Sequence, residues 1–149
     1  MRAVVQRVSR ASVRVEETVV GEIGRGFLVY AAAAANDGDD DLRYIAEKIA
    51  HLRVFPDDTG KMNLSVTDTG GAVLLVSAFT VLADARKGRR PSFDGSAQPE
   101  RAEPLLQQLE QRLMQAGIRV QTGRFRAHMH VEAVNDGPIC VLLDSRRAV

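Results

Sequence analysis

Residues 2–34 have the apolar, valine-rich character of β-strands, with an imperfect alternation of apolar and polar positions at residues 2–8. Residues 2–8 (RAVVQRV) are rich in valine, and residues 11–34 extend the pattern. Turn residues at Glu16-Glu17 and at Gly24-Arg25-Gly26 interrupt this stretch. The pattern therefore predicts several strands joined by short turns.

Two later segments carry apolar residues at helical spacing. The acidic residues of segment 36–41 (NDGDDD) precede the first, where carboxylates suit the positive end of a helix. The second helix is predicted from Pro99 to Ala116, with Gly117 ending it. The positions that share one apolar face are Leu42, Ile45, Ala46, Ile49 and Leu52 in the first helix and Leu105, Leu106, Leu109 and Leu113 in the second.

The remaining apolar segments predict further strands. Residues 71–83 (GAVLLVSAFTVLA) form an unbroken apolar run, which is typical of a buried strand. Three strand-like segments follow the second helix, at residues 118–125, 127–134 and 139–144. Many strands with two main helices indicate the fold class α+β, which we expect as a single domain of residues 1–149 with a mostly antiparallel or mixed sheet.

Length, charge and cysteine content narrow the class of protein. The 149 residues have the size of one domain, and 20 Lys and Arg against 19 Asp and Glu leave a net charge of +1. This balance neither requires nor excludes a nucleic-acid partner. One cysteine excludes an intrachain disulfide and a cysteine-rich zinc site. With no apolar run near the roughly 18 residues of a membrane span and no cleavage signal, we expect a cytoplasmic protein that does not enter a membrane.

The segment Ser77-Ala78-Phe79-Thr80 places two hydroxyls late in the buried apolar run. Burying an unpaired hydroxyl is costly, so each is expected either to bond a nearby backbone group or to face a substrate at a strand end. No Gly-x-Ser-x-Gly motif is present and no histidine is tied locally to Ser77 or Thr80. A Ser-His-Asp triad is therefore poorly supported.

The segment RKGRRPSF concentrates positive charge in a chain that is otherwise balanced. Its four cations, a flexible glycine and Phe93 suit a phosphate backbone and a stacked base, although a solvated loop explains the same residues. The cations are Arg86, Lys87, Arg89 and Arg90.

His128, His130 and Glu132 alternate along a predicted strand, so their side chains share one face. Two imidazoles and a carboxylate are metal ligands, but successive same-face positions spread over roughly 13 Å at a rise of about 3.3 Å per residue. We therefore favour a solvated strand face and predict no metal site. Cys140 lies in the last apolar segment and is predicted to be a small buried residue.

The segment Asn135-Asp136-Gly137-Pro138 separates the last two strand-like segments. A hairpin needs only two turn residues, and Pro138 lacks the N–H that a strand ladder uses. Local chemistry leaves two interpretations open: an ordinary loop, or a segment that presents Gly137-Pro138 to something else.

In order and spacing, five segments resemble the D-aminoacyl-tRNA deacylase family over nearly the whole chain. They are residues 1–15 (MRAVVQRVSRASVRV), 47–66 (EKIAHLRVFPDDTGKMNLSV), 77–80 (SAFT), 87–93 (KGRRPSF) and 135–138 (NDGP). Each motif alone is short and weakly specific. The resemblance implies a homodimer that hydrolyses the ester of D-aminoacyl-tRNA and of glycine mischarged on tRNA-Ala, with active sites at the subunit interface and no cofactor.

The resemblance also implies a role for particular residues. A cis peptide bond at Gly137-Pro138 would reach into the partner's site and reject L-amino acids, with Arg7 bracing the loop and Met129 contacting the substrate. The strand-end residues Ser77, Phe79 and Thr80 would be catalytic, with the N–H groups of Phe79 and Thr80 as an oxyanion hole. The cations Arg86, Lys87, Arg89 and Arg90 would bind tRNA.

Three residues depart from the family pattern. Ala78 replaces a usual Gln, Arg126 a usual Gly, and Cys140 a usual Thr. We expect the fold and the activity to persist with an altered substrate preference. Two other hypotheses remain open: a non-catalytic tRNA-binding paralogue, and a small-molecule esterase or metal-dependent hydrolase that uses His128 and His130.

Overall fold

A long first strand organises the fold. In the computed structural model, which describes residues 1–149, β1 (Arg2–Val15) pairs with other strands along both of its edges. The other strands are β2 (Thr18–Ile23), β3 (Gly26–Ala32), β4 (Phe55–Pro56), β5 (Met62–Leu64), β6 (Ala72–Ser77), β7 (Arg119–Thr122) and β8 (His130–Asp144). The helices are α1 (Asp39–His51), α2 (Val66–Thr69) and α3 (Pro99–Gln115), with a 3-10 turn at Phe79–Leu82.

One edge of β1 carries both β2 and β3 in antiparallel pairing, and the register is the same across the junction between them. Ala11 pairs with Ile23, and Val8 pairs with Gly26 without a shift in register. The prediction of a turn at Gly24-Arg25-Gly26 is therefore wrong. The chain does not reverse there, because β2 and β3 run in the same direction and are separated only by a bend. The turn predicted at Glu16-Glu17 does reverse the chain, between β1 and β2.

The sheet is mixed, as predicted. After β3 the sheet continues with β6 and β7, and both of these pairings are parallel. Strands β3 and β6 are buried on both faces, which explains their unbroken apolar sequences. Gly21 of β2 lies against the backbone oxygen of Thr122 in β7, so the sheet curves until these strands meet.

Two apolar clusters hold the layers together. The larger lies between the sheet and helices α1 and α3, and the smaller fills the concave side of the curved sheet around Val8, Leu28 and Leu74. The predicted helical faces are buried in the larger cluster, apart from the half-buried Leu52 beyond the end of α1. With one core on each face of the sheet, the chain forms a single α+β unit. No helix combines the length and apolar character that a membrane span requires.

Helix α2 is short and was not predicted. Its start is a capping box, in which the Ser65 hydroxyl accepts from Asp68 N–H and the Asp68 carboxylate accepts from Ser65 N–H. Gly70 ends the helix with a φ of 67°. The pattern Ser-x-x-Asp was visible in the sequence, but four residues are too few to show helical periodicity.

The apolar run at residues 71–83 is longer than the strand that it forms. Strand β6 ends at Ser77, and the following 3-10 turn carries an exposed Phe79 and Thr80. Periodicity within an apolar run cannot locate such an end, because the run continues across it.

The segment Asn135–Pro138 is a bulge rather than a hairpin loop. Both flanking segments pair with β1 in the same direction, so they form one strand, β8. Gln6 pairs with Cys140 and Arg10 with Val134, so six steps along β8 oppose four along β1. The extra backbone projects at the middle of the strand.

Cys140 is exposed, so its predicted burial is wrong. Strand β8 lies at the edge of the sheet, and alternate side chains point away from the core. Leu142 on the same strand is 58% exposed, and Val134 is 41% exposed. The apolar composition of residues 139–143 therefore reflects an uncovered face rather than a second buried strand.

The close approach of β3 and β6 at Gly26 provides a test of this architecture. A Cβ at Gly26 would lie 1.8 Å from the backbone oxygen of Ala72. We expect Gly26→Ala to lower the free energy of unfolding by about 3 kcal/mol, because overpacking typically costs 1–3 kcal/mol and backbone cannot move aside as a flexible side chain can. Urea denaturation measures the change. The control Gly24→Ala, where nothing lies within 4 Å, is expected to stay within about 0.5 kcal/mol of the parent; equal losses would contradict the close packing.

Candidate active site

A cleft of about 600 Å³ opens where β6 ends. Its walls are the 3-10 turn after β6, the start of α3 and the turn that follows β7. The lining residues are Ala32, Ala33, Ser77, Ala78, Phe79, Thr80, Phe93, Ser96, Ala97, Gln98, Pro99, Ala102, Leu106, Phe125, Arg126, Ala127 and Met129. A cleft at the carboxyl end of a parallel strand is a frequent place for a binding site.

The backbone after Ser77 leaves polar groups available to the cleft. Ala78 N–H donates to Ala31 O, which anchors the strand end, and the local bonds of the turn begin at Val81 N–H. No side chain caps this turn, so the N–H groups of Phe79 and Thr80 lie where the first N–H groups of a helix have no internal partner. An oxyanion hole uses two such donors, so the N–H groups of Phe79 and Thr80 remain candidates for one.

The hydroxyls of Ser77 and Thr80 make no hydrogen bond within the protein. Thr80 is exposed and Ser77 is half-buried, so solvent or a ligand in the cleft can satisfy both. The simpler of the two sequence interpretations, in which each hydroxyl bonds a neighbouring backbone group, is therefore wrong.

Arg126 is the one ionisable side chain among the residues that line the cleft. It lies in a turn in which Ala127 N–H donates to Arg124 O at 3.1 Å, and its φ is 65°. A left-handed conformation at a residue with a Cβ costs about 1–2 kcal/mol. No carboxylate, imidazole or thiol lies beside the hydroxyls, so the cleft contains no side chain able to act as a general base.

Two aromatic rings meet at the cleft. The centroids of Phe79 and Phe93 are 5.1 Å apart in an edge-to-face arrangement, and Phe79 is 57% exposed. An exposed ring at a cleft offers a surface on which a base can stack. Met129 lies in the same cleft and packs against the apolar cluster of the curved sheet.

The basic loop is held by an internal ion pair. Arg86 donates from Nε at 2.9 Å and from Nη2 at 2.7 Å to the Asp84 carboxylate, which also accepts from Arg86 N–H. These bonds hold the pKa of Asp84 well below its usual range and raise the pKa of Arg86. Lys87, Arg89 and Arg90 are exposed and form no ion pair, so three of the four predicted cations remain free.

The Asn135–Pro138 bulge lies apart from the residues that line the cleft. Arg7 donates from Nε to Asp136 O at 3.0 Å and from Nη1 to Val54 O at 2.5 Å. On the other side, Asn135 Oδ1 accepts from Ile139 N–H at 2.8 Å. The Gly137-Pro138 peptide bond is cis, and both residues are exposed. Arg7 thus braces the bulge, but neither Gly137 nor Pro138 lines the cleft of its own chain.

His128 and His130 are neighbours with ring centroids 5.1 Å apart. Glu132 faces Arg14 instead, with 4.0 Å between Arg14 Nη1 and Glu132 Oε1. Strand β8 begins at His130, so His128 lies before the strand, although the sequence predicted a strand that includes it. No group of three or more His, Cys, Asp or Glu side chains is arranged to hold a metal ion.

The structure brings together some of the predicted site residues and separates others. Ser77, Phe79, Thr80 and Met129 share the cleft, whereas Arg7, Gly137 and Pro138 form a second cluster at the bulge. Ser96, Gln98 and Phe125 also line the cleft and were not predicted as site residues. Gln98 stands directly before the predicted helix start, where side chains often face a site, but Ser96 and Phe125 carry no signal that separates them from ordinary loop residues.

The sequence of this chain is similar to those of known deacylases. The family described as D-Tyr-tRNA(Tyr) deacylase matches residues 4–144. A D-aminoacyl-tRNA deacylase of Anaeromyxobacter dehalogenans is 58% identical over 147 residues, which cover 99% of each chain. One of Koribacter versatilis is 55% identical with the same coverage.

Two solved structures share the fold of this chain. A structure named c-Myc DNA Unwinding Element Binding Protein has a TM-score of 0.91 and 38% identity, and the match covers 97% of this chain and 98% of that chain. A probable eukaryotic D-amino acid tRNA deacylase has a TM-score of 0.82 at 16% identity, which shows the shared fold.

Proposed function

This chain belongs to the D-Tyr-tRNA(Tyr) deacylase family, and on that premise we propose that it hydrolyses the ester of D-aminoacyl-tRNA and releases the D-amino acid and tRNA. The matches to relatives named as D-aminoacyl-tRNA deacylases cover nearly the full length of this chain and of each relative. The observation that carries the chemistry is the cleft itself, in which unpaired backbone donors lie beside two free hydroxyls and no general base.

The proposed mechanism uses the backbone and the substrate. The ester carbonyl oxygen accepts from the N–H groups of Phe79 and Thr80, which stabilise the negative charge that develops on it. Water attacks the carbonyl carbon, the bond to the ribose oxygen breaks, and that oxygen takes the proton that water loses. The neighbouring 2′-OH of the terminal ribose, both donor and acceptor, helps to activate the water. A mechanism that uses backbone N–H groups and the substrate's own hydroxyl fits a cleft that has no acid–base side chain.

Rejection of L-amino acids is proposed for the bulge. Gly137 and Pro138 are exposed on their own chain and braced by Arg7, so they are available to enter the cleft of a second subunit. Backbone carbonyls at that position would crowd the side chain of an L-amino acid, while a D-amino acid or glycine avoids them. The same selection would permit glycine on tRNA-Ala as a substrate.

The acceptor end of tRNA would reach the cleft along the basic loop. Lys87, Arg89 and Arg90 have no internal ion pair and can contact phosphates, whereas Arg86 is already neutralised by Asp84. The exposed ring of Phe79 with Phe93 provides a place for the terminal base to stack. Of the four predicted tRNA-binding residues, we therefore assign Arg86 chiefly to the shape of the loop.

Deacylation of matched substrates tests the activity. We expect the purified protein to hydrolyse D-Tyr-tRNA and Gly-tRNA, with L-Tyr-tRNA at least about 100-fold slower, since a steric clash worth about 3 kcal/mol gives that ratio. Chelator should not change the rate of D-Tyr-tRNA hydrolysis. Binding of tRNA without ester cleavage would favour the paralogue hypothesis. Cleavage of simple esters, or sensitivity to chelator, would favour the esterase or metal-dependent hydrolase.

Two versions of the mechanism differ in the role of the Thr80 hydroxyl. In one version the hydroxyl takes no part in bond formation, and in the other it is the nucleophile that attacks the ester. With no base beside it, Thr80 is not activated as a nucleophile, so we expect Thr80→Ala to retain single-turnover deacylation within about threefold, far from the roughly 100-fold loss that removing an activated group produces. Phe79→Ala is not a suitable control, because it removes the stacking ring. Thr80→Ser serves instead, and loss of nearly all activity in Thr80→Ala with recovery in Thr80→Ser would identify a hydroxyl nucleophile.

The proposed homodimer would cover the exposed face of β8. Leu142 is 58% exposed on that strand, and Met62 on β5 is a matched control at 61% exposure. We expect Leu142→Asp to give a folded monomer in sedimentation experiments, with deacylation reduced at least about tenfold, because a buried unpaired charge costs more than 1.4 kcal/mol. Met62→Asp should remain dimeric and active. A fully active, dimeric Leu142→Asp would contradict this location for the interface.

A further inference from the structure

Arg126 occupies a backbone position that suits glycine. It is the third residue of the Arg124–Ala127 turn, and its φ of 65° is the left-handed value that a type II turn requires there. Residues with a Cβ adopt this conformation at a cost, and such outliers concentrate at functional sites. A large cationic side chain at such a position in the cleft wall suggests that the guanidinium group contacts a ligand.

The Arg126 side chain has no partner inside the protein. It forms no hydrogen bond and no ion pair, whereas Arg7 and Arg86 are both engaged by groups of the chain. A guanidinium presents five N–H donors in a planar fork, which matches two oxygens of a phosphate or carboxylate. The side chain is exposed at the cleft, so a bound anion can reach it.

We propose that Arg126 is a substrate-binding residue that contacts the phosphodiester on the 5′ side of the terminal adenosine. The inference rests on the proposed function, because it takes the occupant of the cleft to be the aminoacylated end of tRNA. Every other residue that lines the cleft is uncharged, so the alanine, leucine and phenylalanine surfaces suit the nucleoside and aminoacyl group. Arg126 is the one lining residue that can neutralise the phosphate attached to them.

A phosphodiester accounts for Arg126 better than a carboxylate of the amino acid does. The phosphate is present on every aminoacyl-tRNA, whereas a side-chain carboxylate occurs only on D-aspartyl and D-glutamyl substrates. Phe79 and Phe93 lie in the same cleft and can hold the terminal base, to which the phosphate is joined through the ribose. Arg126 would thus act with the stacked base to fix the end of the tRNA before the ester reaches Phe79 and Thr80.

Arg124 provides a matched control two residues away. It is also an exposed arginine without an ion pair, but it lines a neighbouring groove of about 250 Å³ together with Glu103 and Glu110. The two acidic side chains make that groove unsuitable for a phosphate. Substitution at Arg124 changes net charge as substitution at Arg126 does, and the Arg124 side chain does not line the cleft.

The test uses small analogues of the tRNA end. D-tyrosyl-3′-amino-3′-deoxyadenosine, in which an amide replaces the ester, is compared with the same molecule carrying a 5′-(methyl phosphate). We expect the parent protein to bind the phosphorylated analogue about tenfold more tightly, the effect of about one charge-assisted hydrogen bond, as measured by calorimetry. Arg126→Gly and Arg126→Gln should remove this preference, Arg126→Lys should retain part of it, and Arg124→Gly should retain all of it.

Deacylation of whole tRNA supplies an independent measurement. Arg126→Gly should raise KM for D-Tyr-tRNA more than it lowers kcat, and the slope of log K against log salt concentration for tRNA binding should fall by about 0.7, the value for one phosphate on a single strand. Glycine suits the turn at position 126, so this variant should unfold at no lower temperature than the parent. A loss of the phosphate preference therefore cannot be attributed to failure to fold.

Each outcome supports or overturns the proposal. Deacylation of D-Tyr-tRNA without any preference for the phosphorylated analogue would overturn it while leaving the proposed function intact. An Arg126-dependent preference for a D-aspartyl analogue over the D-tyrosyl one would overturn it in favour of carboxylate recognition. Absence of both deacylation and analogue binding in the parent protein would refute the proposed function, and the assignment of Arg126 with it.

Discussion

The fold depends on β1 being paired along both edges. One edge holds β3 and most of β2 in one register, which shifts only after Val13, and the other edge holds β8 over nearly its whole length. A strand paired on both sides satisfies its backbone groups internally, so it sets the position of every strand around it. The curved sheet that results has an apolar core on each face. Helices α1 and α3 cover the core on one face, and the curvature of the sheet encloses the smaller core on the other face.

This arrangement separates the two clusters of predicted site residues. On one edge of β1 the sheet continues through β3 and β6 to the cleft, and on the other edge β8 carries the bulge braced by Arg7. Within one chain, the bulge is not among the residues that line the cleft. Under the proposed function, the cleft and the bulge meet only when a second copy supplies one of them, so chiral selection and assembly depend on the same strand.

The sequence predicted the elements better than it predicted their ends and surroundings. Helical spacing placed Leu105, Leu109 and Leu113 correctly in the core, because a helix of 17 residues repeats its apolar face several times. By contrast, the end of β6 at Ser77, the continuity of β8 and the exposure of Cys140 depend on pairing with distant strands. Ser77, Phe79 and Thr80 line one cleft and are also neighbours in the sequence, whereas Phe93 and Arg126 reach the same cleft only through folding.

The cleft also explains why residue chemistry alone gave a weak functional signal. A site that acts through backbone N–H groups and a hydroxyl of its substrate needs few particular side chains, and backbone donors are invisible in a sequence. Under the proposed function, side chains would add selection: aromatic rings for a base, Arg7 to brace the bulge, and Arg126 for a phosphate. Ala78 can replace a usual Gln in such a site without removing its donors, since Phe79 and Thr80 contribute main chain. Arg126 is the opposite case, because its side chain supplies a charge that no backbone group in the cleft can replace.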